Sequence, residues 1–241
     1  MMEFSAISPS RAVDEIAAQV REMIATGKIK PGDRLPSERD LSARLGVSRN
    51  TLREALRALE NAGIVEMRKG ATGGAFVLHG SSDVIVGGMR DLYHLGAITP
   101  QQFTEARMWL SEVVVRVASE RATEEDFAAL EANIDASAKA VDFEERARHN
   151  RAFHVILARA TRNPILIITM EGIVEVFAHF IAQIGPSDNA FVLPSRRRFM
   201  KHLRARDAVK AAEEMKRALV RLQTQYMDQW EARSASDQNA K

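Results

Sequence analysis

The stretch LPSERDLSARLGVSRNTLREALRAL, residues 35–59, predicts two short helices that meet at a tight corner at Gly46. Ser37 is placed to cap the first helix, with Asp40 three residues later, and Ser48 is placed to cap the second. Apolar residues on the second helix recur at helical spacing and predict a buried stripe of Leu52, Ala55, Leu56 and Leu59. Two short helices joined by a turn with glycine are typical of a helix-turn-helix.

Basic and amide side chains lie near the start of the second helix, away from its apolar stripe. These residues are Arg49, Asn50, Arg53 and Arg57. Between residues 34 and 69 there are eight basic and five acidic residues, whereas the net charge of the whole chain is only +2. A local positive excess is expected of a small DNA-binding module, whose second helix enters the major groove.

The run from Lys28 to Val77 resembles the DNA-binding domain of the GntR family of bacterial transcription regulators. This run contains strand patterns at Ile64–Arg68 and Ala75–Leu78, separated by the loop Lys69–Gly74. The resemblance implies that this β-hairpin is the wing of a winged helix-turn-helix. The alternative, two ordinary surface helices with charged outer faces, does not account for the full run.

The resemblance also implies which residues contact DNA. Those on the two helices are Arg39, Ser48, Arg49, Asn50, Thr51 and Arg53, and those at the wing are Lys69 and Gly70. Arg49 is the best candidate for a guanine contact, because a guanidinium can bind the edge of this base with two hydrogen bonds. A solvated surface charge is the alternative for each single residue.

Composition and pattern order predict the fold class. Hydrophobic residues make up 46% of the 241 residues and aromatic residues only 6%, and strand-like alternation is scarce, which favours helices. We predict a mainly α protein with an N-terminal winged helix-turn-helix and a C-terminal all-helical antiparallel bundle. The predicted parts are a DNA-binding domain at 1–79, a linker with a short helix near Asp83–Leu95 at 80–100, an effector-binding and dimerisation domain at 101–231, and a disordered tail at 232–241.

The sequence contains no cysteine, which excludes disulfides and thiolate metal sites. No apolar run approaches the ~20 residues of a membrane-spanning helix, and the N-terminus lacks the pattern of a signal peptide. From these features we expect a cytoplasmic protein with no membrane partner.

The second half of the chain resembles the effector-binding FCD domain of the FadR-type subfamily of GntR regulators. The stretches that carry the resemblance are Glu105–Glu131, Asn150–Pro164 and Leu203–Met215. It implies a homodimer that binds a palindromic double-stranded DNA operator and is controlled by a small-molecule effector, with repression and release by the effector as the expected sign. We predict no enzymatic activity, because no nucleophile–base pair is visible.

Many FCD domains hold a divalent metal between an Asp, a His four residues later and one His from each of two later helices, and the resemblance places these ligands by position. They fall on Asn150, His154, Arg196 and Ala218, so that only His154 matches. An amide and a cation are poor neighbours for a dication, and we predict no metal and no other cofactor. A displaced site of His154 with His179 and His202 is the alternative.

Four polar residues lie on the inward stripes of predicted helices and are the candidate effector-binding residues: Arg107, Asn150, His154 and Arg196. A buried guanidinium needs a partner, and for the two arginines this is either an internal carboxylate, Glu112 or Glu175, or the effector. In the second case they would bind the carboxylate of a small organic acid with paired hydrogen bonds. For His154 the alternative is a hydrogen-bonded core histidine.

Two further alternatives remain open at the level of the sequence. One is a ligand-independent DNA-binding protein whose C-terminal half only dimerises, which a solid helical core without a cavity would favour. The other is a regulator with a fatty acyl thioester as effector, because a pocket without metal also suits a long apolar ligand.

Overall fold

The computed structural model describes residues 9–70, 72–79, 83–186 and 189–239. The chain separates into two compact units, residues 1–84 and residues 85–241. Each unit has its own apolar core, and the two candidate sites lie in different units.

Three helices and a β-hairpin build the described part of the N-terminal unit. They are α1 (Pro9–Ala25), α2 (Glu38–Leu45), α3 (Arg49–Asn61), β1 (Val65–Arg68) and β2 (Gly74–Val77). The apolar face of α1 packs against α3, and both surround a core that includes the fully buried Leu52, Leu59 and Val65. The predicted winged helix-turn-helix is confirmed, and its strands begin and end within one residue of the predicted positions.

Two serine caps and a left-handed glycine set the corner between α2 and α3. Ser37 Oγ accepts a hydrogen bond from the Asp40 backbone N–H at 3.2 Å, and Ser48 Oγ accepts one from the Thr51 backbone N–H at 3.1 Å. Gly46 ends α2 with a φ of 65°, a conformation that glycine adopts without steric cost. These local bonds fix where α3 begins and therefore which way its first side chains point.

The segment before α2 pairs with the wing, which its turn-rich sequence did not indicate. The backbone N–H of Leu35 donates to the Ala75 carbonyl at 2.8 Å, and the backbone N–H of Val77 donates to the Asp33 carbonyl at 2.9 Å. A third backbone segment therefore lies beside β2 and forms hydrogen bonds with some of the backbone groups that would otherwise be unpaired at the edge of this strand.

The wing turn depends on glycine at two positions. Gly70 has a φ of 104°, and a Cβ built on Gly73 would lie 2.3 Å from the Arg68 carbonyl oxygen. A side chain at Gly73 would thus require the turn to open, and one at Gly70 would be strained.

Beyond the wing, the described residues from Asp83 onward form seven helices. They are α4 (Asp83–His94), α5 (Pro100–Arg121), α6 (Glu124–Lys139), α7 (Phe143–Arg159), α8 (Pro164–Ile184), α9 (Val192–Arg204) and α10 (Ala208–Asn239). In the bundle, α5 packs on α8 and α10, α7 on α6 and α8, and α9 on α6 and α10. The predicted helical bundle is confirmed, and α4 is the helix expected near Asp83–Leu95.

Helix α8 corrects one expectation from the sequence. Among the described residues it is the one helix that is long and apolar enough to cross a membrane by length and composition alone, with a mean hydropathy of 1.9 over its best window. The prediction that no apolar run approaches this length is therefore wrong. Core helices of soluble proteins pass the same test, and in α8 the buried residues Met170, Val176 and Phe180 pack within the bundle.

Helix α10 corrects another expectation, that of a disordered tail at 232–241. The backbone is helical as far as Asn239, and residues 240 and 241 lie outside the described residues. No glycine or proline follows Asp207, so no residue that ends a helix interrupts the one that begins in the bundle.

A buried carboxylate joins α9 to α10. Glu214 is only 3% exposed, and it accepts hydrogen bonds from Ser195 Oγ at 2.7 Å, from Arg198 Nη2 at 2.7 Å and from Arg217 Nη2 at 2.8 Å. Burial by itself raises the pKa of the Glu214 carboxyl, but these hydrogen bonds and the arginine charges outweigh it and leave the pKa below its usual value. The interaction holds the start of α9, and with it the next residue, Arg196, against α10.

We predict that Glu214→Gln lowers the free energy of unfolding of the helical unit by about 2 kcal/mol at pH 7, because charge-assisted hydrogen bonds are lost. Since the folded-state pKa lies below the unfolded-state pKa, this stabilisation is present above about pH 4.5 and is lost as the pH falls through the folded-state pKa. Urea unfolding followed by tryptophan fluorescence measures it, because both tryptophans, Trp109 and Trp230, lie in the helical unit.

The matched control is Glu213→Gln, which removes the exposed carboxylate next to Glu214 on the same helix. An equal loss of stability in both variants, or a loss that is independent of pH, would show that the buried carboxylate does not stabilise the packing of α9 on α10.

Candidate functional site

The start of α3 presents a row of polar side chains to solvent. Arg49 and Asn50 are exposed and occupy the first turn, while Thr51 is half-buried with its hydroxyl 2.8 Å from that of Ser48. None of the ion pairs among the described residues involves Arg49, so its guanidinium can bind a base or a phosphate without first breaking a bond within the protein.

Two other predicted DNA contacts already have partners within the chain. Arg53 donates from Nε to Glu38 Oε2 at 2.9 Å, and Arg39 Nε lies 3.6 Å from Asp40 Oδ1, with the Arg39 side chain 78% exposed. Exposed ion pairs of this kind contribute little to stability, so both arginines can exchange their carboxylate for a phosphate. Their roles in DNA binding stay predictions.

The wing carries the remaining predicted contacts, Lys69 and Gly70, both of which are exposed. Next to them, the guanidinium of Arg68 stacks on the Phe76 ring, with Cζ 4.3 Å from the ring centroid, and Arg34 donates a hydrogen bond to the Gly73 carbonyl. Arg68 also donates from Nε to Glu66 Oε2 at 2.9 Å. Lys69 of the wing turn and Arg34 of the segment before α2 therefore carry the positive charge around the wing that Glu66 does not compensate.

The helical unit contains a cavity of about 520 Å³, partly open to solvent, between α5, α7, α8, α9 and α10. All four candidate effector-binding residues line it: Arg107 from α5, Asn150 and His154 from α7, and Arg196 from α9. Residues far apart in the sequence therefore meet at one cavity, as the inward stripes predicted. The alternative of a solid core without a cavity is not what the structure shows.

Arg107 is a buried cation whose guanidinium lacks hydrogen bonds. The residue is 7% exposed, and its Cζ lies 4.4 Å from the centroid of the Phe177 ring. Burial lowers the pKa of Arg107 to about 10, although Tyr226 acts in the opposite direction, so the guanidinium is still charged at pH 7. No hydrogen bond joins it to any of the described residues, and its donors are available to a ligand.

Arg196 is held more firmly and is equally buried, at 7% exposed. Its Nη2 donates to the Asn150 carbonyl at 3.2 Å, and its Cζ lies 4.1 Å from the centroid of the Phe153 ring. Burial, together with repulsion from Arg107, lowers its pKa to about 9. Nη1 is buried and has no acceptor among the described residues, which leaves an unused donor.

His154 lies close to both arginines and remains neutral. Burial, and to a lesser extent the charges of Arg107 and Arg196, hold its pKa well below the usual value. Its Nδ1 and the Asn150 Oδ1 are buried atoms without a hydrogen-bond partner among the described residues. His154 is thus not the hydrogen-bonded core histidine of the alternative interpretation, and the two side chains offer neutral hydrogen-bonding groups.

Neither internal carboxylate considered for the arginines is their partner. Glu112 accepts from Arg116 Nη2 at 2.8 Å. Glu175 lines the cavity but is exposed, and none of the ion pairs among the described residues joins a carboxylate to Arg107 or Arg196. The internal explanation of the two buried cations is therefore wrong for the part of the chain that the structure describes.

The residues at the positions of the family's metal ligands do not fit a dication. Arg196 places a buried guanidinium beside His154, and Ala218 lies near both with no donor atom to offer. Of the histidines in the displaced alternative, His179 lines the cavity with Nδ1 3.0 Å from the Glu175 carbonyl, whereas His202 does not line it. The described residues contain no group of three His, Asp or Glu side chains able to hold a metal ion.

Two aromatic residues of the site were not predicted. Phe177 lies under the guanidinium of Arg107, and Tyr226 packs against Phe177 with ring centroids 5.7 Å apart while it lines the cavity. In the sequence both belong to apolar stripes of long helices, which look alike whether a stripe faces the core or a cavity. The one signal that could have indicated these aromatic residues was a buried arginine on a neighbouring stripe, because a guanidinium often stacks on an aromatic ring.

Comparison with known proteins agrees with this architecture. A model of the bacterial regulatory proteins of the GntR family matches residues 12–77, and a model of the FCD domain matches residues 102–221. Among solved structures, that of Streptococcus agalactiae GntR aligns with a TM-score of 0.64 and 20% identity over 88% of this chain and 99% of that one, a likeness that shows the fold.

Curated relatives carry the comparison further. The chain is 32% identical over 173 residues to the Uxu operon transcriptional regulator of Escherichia coli K12, a match that covers 68% of this chain and 63% of that protein. It is 34% identical over 165 residues to the HTH-type transcriptional repressor NanR of Escherichia coli, covering 63% of this chain and 59% of that protein. The chain therefore spans less than two thirds of the length of these relatives.

Proteins of this family are regulators and not enzymes, as predicted. The chain belongs to the GntR family of bacterial regulatory proteins, with the gntR domain in its first third and an FCD domain in its second half.

Proposed function

We propose that this regulator is a repressor whose FCD domain binds a small organic acid through Arg107 and Arg196, and that binding releases the protein from its operator. The observation that carries the proposal is the pair of buried guanidinium groups that line one cavity and have no carboxylate partner among the described residues. Because isolated buried charges are costly, a ligand that brings the opposite charge would bind strongly there.

The remaining parts of the proposal rest on the family and on symmetry. The relative NanR is named as a transcriptional repressor, which supports the same sign here. A homodimer would place two copies of α3 on a palindromic operator, with half-sites about one helical turn apart. We propose that the protein acts in the cytoplasm, where the operator is, and that it uses no metal.

Release requires that the effector prefers one arrangement of the protein over another. A ligand that binds equally well to the DNA-bound and free forms would not change operator affinity, however tightly it binds. The coupling is reciprocal, so operator DNA must weaken effector binding by the same factor. The cavity favours this sensor over the ligand-independent alternative, which requires only a dimerisation surface.

We predict that Arg49→Ala removes the preference for the operator over random DNA and leaves the melting temperature almost unchanged. The reason is that Arg49 is exposed and unpaired, so it contributes to recognition but not to packing. The measurement is binding to an operator selected from a random DNA pool, compared with a scrambled sequence at the same salt concentration.

The control for this prediction is Arg21→Ala, which removes an exposed arginine of α1 that takes part in none of the ion pairs of the described residues. It should lower operator binding little. A clear drop in melting temperature for Arg49→Ala would instead assign Arg49 a structural role.

We predict that carboxylates from a panel of small organic acids raise the melting temperature of the wild-type protein in the presence of EDTA, and that Arg196→Met weakens the binding by about 30-fold or more. Loss of a buried, charge-assisted contact costs ~2 kcal/mol or more. Thermal shift finds the ligand, and calorimetric titration then gives the dissociation constants.

Arg116→Met is the matched control, because Arg116 lies on α5 with Arg107 but pairs with Glu112 away from the cavity. It should bind the same acids as the wild type. Equal affinity in wild type and Arg196→Met would exclude Arg196 as an effector-binding residue, and a requirement for added metal would contradict direct binding by arginine.

A further inference from the structure

We infer that the effector carries two negative charges, as a dicarboxylate or a phosphate monoester does, because two buried guanidinium groups line the same cavity and no carboxylate of the described residues pairs with them. This inference rests on the proposed effector site and specifies its ligand. It concerns charge number, which the proposal of an organic acid leaves open.

The described residues that line the buried part of the cavity carry a charge of +2 at pH 7. Arg107 and Arg196 are each 7% exposed and remain protonated, with pKa values of about 10 and about 9, and His154 is neutral. The other charged lining residues lie nearer to solvent: Arg151 is half-buried, and Glu144 and Glu175 are exposed. Water screens these outer charges, so they do not neutralise the inner pair.

The two inner cations act on the same small region. Each lowers the pKa of His154, and both interact electrostatically with Tyr226. Arg107 also contributes to lowering the pKa of Arg196, which means that the two positive charges repel each other across the cavity. A ligand that ends this repulsion must bring negative charge to both.

A single carboxylate leaves one buried positive charge of the pair uncompensated, whereas a dianion neutralises both. The count of hydrogen-bond donors points the same way. Arg107 makes no hydrogen bond to the described residues, and the Nη1 of Arg196 is buried without an acceptor. Two guanidinium groups with open donors match the four oxygens of a dicarboxylate or the three terminal oxygens of a phosphate.

The test compares ligands that differ in charge and little else. Phenyl phosphate is largely dianionic at pH 7.5, because its second pKa is about 6, whereas phenyl sulfate has almost the same shape and one charge. Pentanedioate and pentanoate form the second pair. We expect the full-length protein, titrated calorimetrically with EDTA present, to bind the dianion at least ~30-fold more tightly than the monoanion in one of the two pairs.

The pair that shows the preference identifies the source of the charge, a phosphate or a second carboxylate. Arg107→Met and Arg196→Met should each reduce the preference to near unity, because one cation then remains. Arg116→Met should keep it in full. Without ligand, Arg107→Met should melt no lower than the wild type, because it removes a buried cation that makes no hydrogen bond to the described residues, and this result would show that the variant is folded.

Three outcomes would overturn the inference. Equal binding of both members of each pair, with the binding still dependent on Arg107 and Arg196, would exclude a dianion while the proposed organic-acid site stands. A preference for dianions that survives in Arg107→Met and Arg196→Met would place the second charge elsewhere. Failure of all four probes to bind would overturn both the dianion and the proposed effector site.

Discussion

The constraint on which the effector unit depends is the burial of two like charges, Arg107 and Arg196, inside an apolar bundle. Each guanidinium lies over an aromatic ring, which stabilises it in part, and repulsion between the two remains. The surrounding helices must hold both in place, because either side chain would otherwise turn toward water. The contact of Ser195 with Glu214 prevents this for Arg196 by fixing the start of α9 on α10. Stability supplied by the core thus maintains a site that would not form by itself.

Two groups of charged residues in this unit show how position decides the role of a charge. Glu214 is surrounded by Ser195, Arg198 and Arg217, and this set of partners makes it a structural anion. Arg107 and Arg196 have no such anion among the described residues, and the proposed effector would supply it. On α9, Ser195 and Arg198 of the first set lie beside Arg196 of the second, whereas Arg107 lies on α5. Packing therefore decides which arginines stabilise the fold through Glu214 and which keep their hydrogen-bond donors available for binding.

The DNA-binding unit uses cations in the opposite way. Arg49 and Lys69 are exposed, so in the proposed DNA contacts they would carry no desolvation cost beforehand, and their contribution to binding would fall as salt rises. What the fold supplies is direction: the caps at Ser37 and Ser48 and the left-handed Gly46 set the angle at which α3 begins. Exposed cations give affinity for DNA in general, and a fixed helix start gives each side chain a defined place along the groove.

The sequence by itself determined the local elements and their faces. Helix caps, the wing glycines and the apolar stripes depend on contacts between residues three or four apart, which a sequence displays directly. The same periodicity placed Arg107, Asn150, His154 and Arg196 on inward faces, and the structure brings all four to one cavity. Tertiary structure alone decided what those faces meet. Three contacts join residues distant in the chain: the pairing of Leu35 with the wing, the stacking of Phe177 and Tyr226 beside Arg107, and the ion pair of Glu214 with Arg198. No local pattern encodes such partners, because they follow from how whole helices pack.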